Sequence, residues 1–170
     1  MNFLSQFSRS AWYWLGLLLL TITLEGTALY FQYYLEELPC LLCIHVRIIV
    51  LGLFVVALYG LFARCCKWSR SLAHFLVIGF SLGLLERAWQ LYSVENGEGG
   101  LGSCTMELGL PSWFALDKWL PSVFEVKTTC GYTPELLFQV TMAESLLVLS
   151  AVLAIMSIVL FLTTLFDTPK

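Results

Sequence analysis

The sequence predicts an all-α membrane protein: a single four-helix transmembrane bundle whose long third connection carries a short interfacial helical segment. Three observations predict it. Hydrophobic residues make up 59% of the 170 and charged residues 12%, against roughly half and a quarter in a soluble domain. The apolar residues collect into four runs, each near the ~20 residues that one crossing requires. The basic residues favour alternate connections, as loop charge does in multi-pass proteins. So little charge excludes an ordinary soluble globule, and so much apolar content excludes disorder. A net charge of −3 gives no reason to expect a nucleic-acid partner.

The first run, about 11–34, is bracketed by Trp12, Tyr13 and Trp14 at one end and Tyr30, Tyr33 and Tyr34 at the other. Aromatic residues at both ends are interfacial anchors. A signal peptide is the competing reading. The run exceeds a 7–15-residue apolar core, and no clear small-residue cleavage site follows. The second run is about 44–63, the third about 72–92 and the fourth about 146–166. The connections at about 35–43 and 93–145 then lie on one side of the membrane. No internal repeat or low-complexity linker is visible.

Arg9, the loop residues Arg64, Lys67 and Arg70, and the terminal Lys170 fall on the other side. Glu36 and Glu37 occupy the short connection. The long one carries Glu95, Glu98, Glu107, Asp117, Glu125 and Glu135, opposed there only by Lys118 and Lys127. Positive charge marks the cytoplasmic side, so both termini are expected inside and both of these loops outside.

That orientation sorts the six cysteines. Cys40, Cys43, Cys104 and Cys130 fall outside, where an oxidising compartment favours disulfides, and Cys65 and Cys66 fall inside as bystander thiols. Four cysteines allow three pairings. Pro39-Cys40-Leu41-Leu42-Cys43 places a C-x-x-C at a helix start, where unpaired N–H groups and the helix dipole favour a thiolate. Arg47 follows Cys43 by four residues and Cys40 by seven, so at 100° per residue all three share one helix face. A guanidinium there stabilises a thiolate or an anionic partner. A zinc site built from the four cysteines is disfavoured, because Cys104 and Cys130 form no second knuckle. A purely structural C-x-x-C disulfide would close too small a loop to stabilise much.

Cys104 follows a stretch containing Gly97, Gly99, Gly100 and Gly102, which predicts an accessible loop. Between it and Cys130, Leu116, Trp119, Leu120, Val123 and Phe124 repeat at helical spacing. Pro121 limits that helix to short pieces, and the segment reads as lying on the bilayer, with a packed cap over the bundle as the alternative. Glu25 lies inside the first crossing, where a carboxylate is costly and is functional or paired, here with Arg47 or Arg87. Glu86 and Arg87 read as a local pair, His45 as packing, and Gly79-x-x-x-Gly83 as close contact within the bundle.

Taken together, these features resemble the disulfide bond formation protein B (DsbB) family. The resemblance covers nearly the whole chain: four crossings, the C-x-x-C with Arg47, and a long loop with two cysteines. Leu24-Glu25-Gly26-Thr27-Ala28-Leu29-Tyr30-Phe31-Gln32 and Leu116-Asp117-Lys118-Trp119-Leu120-Pro121 are similar to family segments. The stretch Met142-Ala143-Glu144-Ser145 departs from the Met-Pro-x-Trp-like start of the fourth helix in many relatives. The resemblance implies a monomeric, quinone-dependent oxidoreductase of the bacterial inner membrane, with redox-active disulfides Cys40–Cys43 and Cys104–Cys130. It implies a periplasmic DsbA-like partner of thioredoxin fold and a quinone, ubiquinone or menaquinone, as electron acceptor. In that scheme the partner attacks Cys104, and Cys130 attacks Cys40. Cys43 faces the quinone beside Arg47, and Glu25 takes a polar role close by. The alternatives are a non-catalytic membrane scaffold with structural disulfides and a zinc-binding membrane protein. The nearly pure apolar crossings argue against a transporter's solute path.

Overall fold

The computed structural model describes residues 3–63, 65–97, 116–128, 135–137 and 140–166. Cys104, Cys130 and the end of the glycine-rich stretch lie outside the described residues. Helix α1 is Phe3–Arg9 and α2 is Ala11–Tyr34; Ser10 between them caps α2, its hydroxyl accepting the Trp12 N–H at 3.2 Å. Then come α3 (Leu41–Ala63), α4 (Lys67–Glu95), the short α5 (Leu116–Trp119) and α6 (Pro121–Phe124), strands β1 (Glu135–Leu137) and β2 (Val140–Thr141), and α7 (Met142–Phe166). Four of these, α2, α3, α4 and α7, are long and apolar enough to cross a membrane. The fold is the expected four-helix bundle, with one small antiparallel β1–β2 pairing before α7.

Helix α3 packs between α2 and α4, α4 packs on α7, and α1 reaches across to α7. The core along these seams is Trp14, Leu17, Val50, Leu53, Ala57, Ala73, Val77, Leu84 and Ala88. The opposite faces expose Ile22, Val55, Phe62, Phe75, Val148 and Ile155, which suits lipid as the surrounding solvent. Hydroxyls inside the bundle turn back on their own helices: Thr21 donates to Leu18 O, Ser150 to Leu147 O, Ser157 to Leu153 O and Thr164 to Phe161 O. Such bonds satisfy a donor where no water can. At the end away from Cys40, the buried His74 ring packs against both Trp14 and Tyr13, with centroids 5.0 and 5.5 Å away.

The glycine expectation is corrected. A β-carbon on Gly79 would meet nothing within 4 Å, and one on Gly83 only the tip of Ile49 at 3.8 Å. The close approaches belong to α3, where a β-carbon on Gly52 would enter the Phe80 ring and one on Gly60 the Trp14 ring. Ring-on-glycine packing replaces the backbone-on-backbone packing that G-x-x-x-G implies.

Helix α2 matches its apolar run, whereas α3, α4 and α7 begin ahead of theirs. Helix α7 begins at Met142 because Thr141 and Glu144 cap it reciprocally: Glu144 N–H donates to Thr141 Oγ1 at 3.3 Å, and Thr141 N–H donates to Glu144 Oε2 at 3.2 Å. This is the S/T-x-x-E box that satisfies two otherwise unpaired donors. Of the two readings of the segment before Cys130, the packed cap over the bundle is the one the contacts bear on. Leu116, Val123 and Phe124 pack on Leu41, Ile44 and Ile48 of α3, whereas Trp119 and Leu120 stay exposed. The break at Leu120-Pro121 turns one stripe into two faces, one capping the bundle and one outward.

Candidate active site

The site is built where α2 gives way to α3. Glu36 takes a left-handed conformation, φ 56°, and Glu37 N–H returns to Phe31 O at 3.1 Å, closing the end of α2. A non-glycine residue there is uncommon and reverses the chain sharply. Leu38 and Pro39 then deliver Cys40 to the start of α3.

Cys40 serves as the helix cap. Its carbonyl accepts Ile44 N–H at 3.1 Å and its sulfur accepts Cys43 N–H at 3.3 Å, the pattern a serine makes at that position. Cys40 Sγ and Cys43 Sγ are 2.7 Å apart and both are thiols here. The hydrogen bond from the Cys43 thiol holds the Cys40 thiol down at about 7, against burial, which pushes it up; backbone amides add to the lowering. Cys40 is packed among Leu42, Leu91 and Ala143, so α4 and α7 both reach it.

The long loop is pinned to the same place. Cys40 pairs with Thr128 in a parallel bridge, and Lys127 N–H donates to Pro39 O at 3.1 Å. Lys127 and Thr128 therefore lie alongside Pro39-Cys40.

Arg47, only 5% exposed, is the hub. Its Nη1 donates to Gln32 Oε1 and to Val123 O at 3.0 Å, and its Nη2 donates to Ala28 O at 3.0 Å. One side chain thus joins α2, α3 and α6. A guanidinium has five N–H donors; these bonds use three and leave two. Gln32 also donates to Ser122 O at 2.7 Å, and the Tyr33 hydroxyl donates to that same oxygen at 2.7 Å.

Below the cysteines is a cavity of about 320 Å³. Its walls are Leu24, Ala28, Phe31, Val46, Val50, Leu91, Met142 and Leu146; its polar groups include Glu25, Gln32, Cys40, Cys43 and Arg47, and Glu36, Glu37 and Thr128 also line it. Glu25 Oε1 is buried there without a hydrogen-bond partner among the described residues. Arg47 directs its bonds to uncharged acceptors rather than to Glu25.

Cys40, Cys43, Arg47 and Glu25, singled out from sequence, therefore share one cavity. Cys104 and Cys130 fall outside the described residues. His45 does not line the cavity. Arg87 and Glu86 are linked through Gln90, which accepts from Arg87 at 3.0 Å and donates to Glu86 at 3.2 Å. Sequence reasoning gave Gln32 and Thr128 no role of their own. Gln32 follows Glu25 by seven residues and so shares its face, a signal present in the sequence. Thr128 had none, because pairing across 88 residues of chain leaves no local pattern.

The family model for disulfide bond formation protein DsbB matches residues 10–160. A Photorhabdus laumondii protein named disulfide bond formation protein B is 35% identical over 131 residues, 77% of each chain. One of that name from Shewanella amazonensis is 35% identical over 149 residues, 87% of this chain and 88% of that one. Another, from Shewanella loihica, is 30% identical over 171 residues, 100% of this chain and 99% of that one.

Proposed function

This chain belongs to the DsbB family of membrane proteins of disulfide bond formation, and from that premise we propose that it reoxidises a periplasmic DsbA-type oxidase and passes the electrons to a respiratory quinone. The single observation that carries the reading is the shared cavity: a C-x-x-C at its mouth, Arg47 with two uncommitted N–H groups, Glu25 with an unpartnered oxygen, and apolar walls. These residues fit a quinone ring. The volume suits a small planar ligand, the walls suit an apolar one, the Arg47 N–H groups suit a quinone oxygen, and Glu25 suits the other when its carboxyl is protonated and donates. A bound quinone, ubiquinone or menaquinone, supplies an acceptor for two electrons and two protons.

The chain's own residues do the rest. A partner thiolate attacks Cys104; the new sulfur–sulfur bond forms as the Cys104–Cys130 bond breaks and Cys130 leaves as a thiolate. Cys130, two residues beyond Thr128, attacks Cys40, and the Cys40–Cys43 bond breaks to release Cys43 as a thiolate. The second partner thiol then displaces Cys104, and the oxidised partner leaves. Cys104 retakes Cys130, and Cys40 leaves as a thiolate. The backbone N–H of Cys43, which donates to Cys40 Sγ, favours that departure, because it stabilises the leaving thiolate. Arg47 stabilises negative charge beside the pair, and Glu25 is placed to hold a proton at Oε1. Loop charge supports an inner-membrane topology with both termini cytoplasmic and the four reacting cysteines periplasmic.

The test uses purified full-length protein, a reduced DsbA-type partner and a short-chain quinone. Partner thiols disappear in step with quinone reduction, and either Cys40→Ala or Cys104→Ala stops both. Thiol loss that ignores quinone, or no catalysis over protein-free controls, leaves a structural scaffold as the reading. Extraction of the native quinone identifies which type is used.

A further inference from the structure

A second concavity lies away from the cysteines, between the ends of α4 and α7 on the same side of the bundle. It is a groove of about 480 Å³ lined by Trp89, Tyr92, Glu144, Leu147 and Val148. We propose that this groove holds the ammonium headgroup of a zwitterionic phospholipid, with phosphatidylethanolamine as its ligand.

The lining changes character with depth as a lipid does. Glu144 is in the first turn of α7, and Trp89 and Tyr92 are in the last two turns of α4, which ends at Glu95. That is headgroup level for helices of this length. Leu147 and Val148 are the next turn down, with Val148 63% exposed toward the acyl region. The charge selects the headgroup. Among the described residues, no basic one lines the groove. Glu144 is exposed, and a second carboxylate, Glu95, accepts the Thr141 hydroxyl at 3.1 Å beside it. An anionic headgroup is repelled there and an ammonium attracted. The two rings, with centroids 6.1 Å apart and planes at 40°, line the same groove, and an aromatic ring attracts a cation. A lysine of a soluble protein has the same charge, but the apolar floor extends into the lipid-facing surface, where an acyl chain belongs and a polypeptide does not.

Glu144→Gln is the discriminating variant. Glutamine still accepts the Thr141 N–H, since the capping box tolerates Glu or Gln at that position, so the charge goes and the fold stays. Full-length protein in detergent is titrated with equal amounts of phosphatidylethanolamine and phosphatidylglycerol of matched acyl chains, and retained lipid is read by native mass spectrometry. The wild type retains the ethanolamine lipid with about a 2- to 5-fold preference, the scale of one exposed cation–aromatic contact. Glu144→Gln and Trp89→Leu bring the ratio to about one, while Glu125→Gln, which removes the same charge elsewhere, keeps it. Equal retention by the wild type, a preference for the anionic lipid, loss of preference in Glu125→Gln, or an unaltered ratio in Glu144→Gln overturns the proposal. So does Glu144-dependent binding of a soluble lysine-rich peptide that displaces the lipid.

Discussion

Replacing Gln32 by leucine isolates what holds Arg47 in place. Leucine is close in size and at home in a helix, so α2 persists, but both Gln32 hydrogen bonds go. The bond to Ser122 O is duplicated by the Tyr33 hydroxyl on the same oxygen, so α6 stays docked. The bond that Gln32 accepts from Arg47 has no substitute. A hydrogen bond to a charged group contributes about 1.5–3 kcal/mol. At about 1.4 kcal/mol per tenfold, full loss means about a 10- to 150-fold weaker hold on the quinone. Two other anchors remain, at Ala28 O and Val123 O, so the lower end, about tenfold, is expected. The assay varies quinone at saturating reduced partner and reads KM separately from kcat; mixed-disulfide formation at Cys104 is followed alongside. KM for quinone rises about tenfold while adduct formation is unchanged. An unaltered KM, or an equal loss of adduct formation, would show that Gln32 does not position Arg47.

Three further outcomes follow from the same geometry. In protein whose other four cysteines are serines, Cys40 ionises at about 7 by thiolate absorbance, and Cys43→Ala raises that midpoint by removing the donated hydrogen bond. Because this is below the ordinary thiol value of roughly 8.5, the stability it adds to the dithiol form is full above that value and is lost as pH falls through about 7; a midpoint unmoved by Cys43→Ala contradicts the assigned cause. Gly60→Ala forces a methyl into the Trp14 ring and costs about 1–3 kcal/mol, seen as a lower Tm in detergent, whereas Gly79→Ala leaves Tm unchanged. An impermeant maleimide on reduced spheroplasts labels Cys104 and Cys130 only. A permeant one also labels the exposed Cys66, and faster than Cys65, because hydrogen bonding from Ser69 N–H keeps the Cys66 thiol below the ordinary range; labelling of the inner pair by the impermeant reagent reverses the topology.

The crossings were legible because a membrane span must be both long and apolar, and both properties are local. Arg47 was legible for a related reason: four and seven residues are fixed angles on a helix. What Arg47 touches was not, since Val123 O lies 76 residues away and a backbone carbonyl leaves no mark in the side-chain pattern. Gly79 and Gly83 misled because their spacing reports a shared face, not what lies opposite, and the rings of Phe80 and Trp14 chose Gly52 and Gly60 instead. The start of α7 at Met142 was written in Thr141-x-x-Glu144 but is invisible to hydropathy, which rises only from Leu146.

The Cys40–Thr128 bridge also has a consequence for competition among thiols. A residue two steps from a pinned one ranges within about 7 Å of it. One thiol confined to that sphere corresponds to about 1 M. A small free thiol at a millimolar level meets Cys40 about a thousandfold less often by mass action alone. In the proposed exchange, a tether of two residues from Thr128 thus gives Cys130 priority at Cys40 over a stray thiol, and proximity adds to the burial of Cys40 in limiting leakage of electrons.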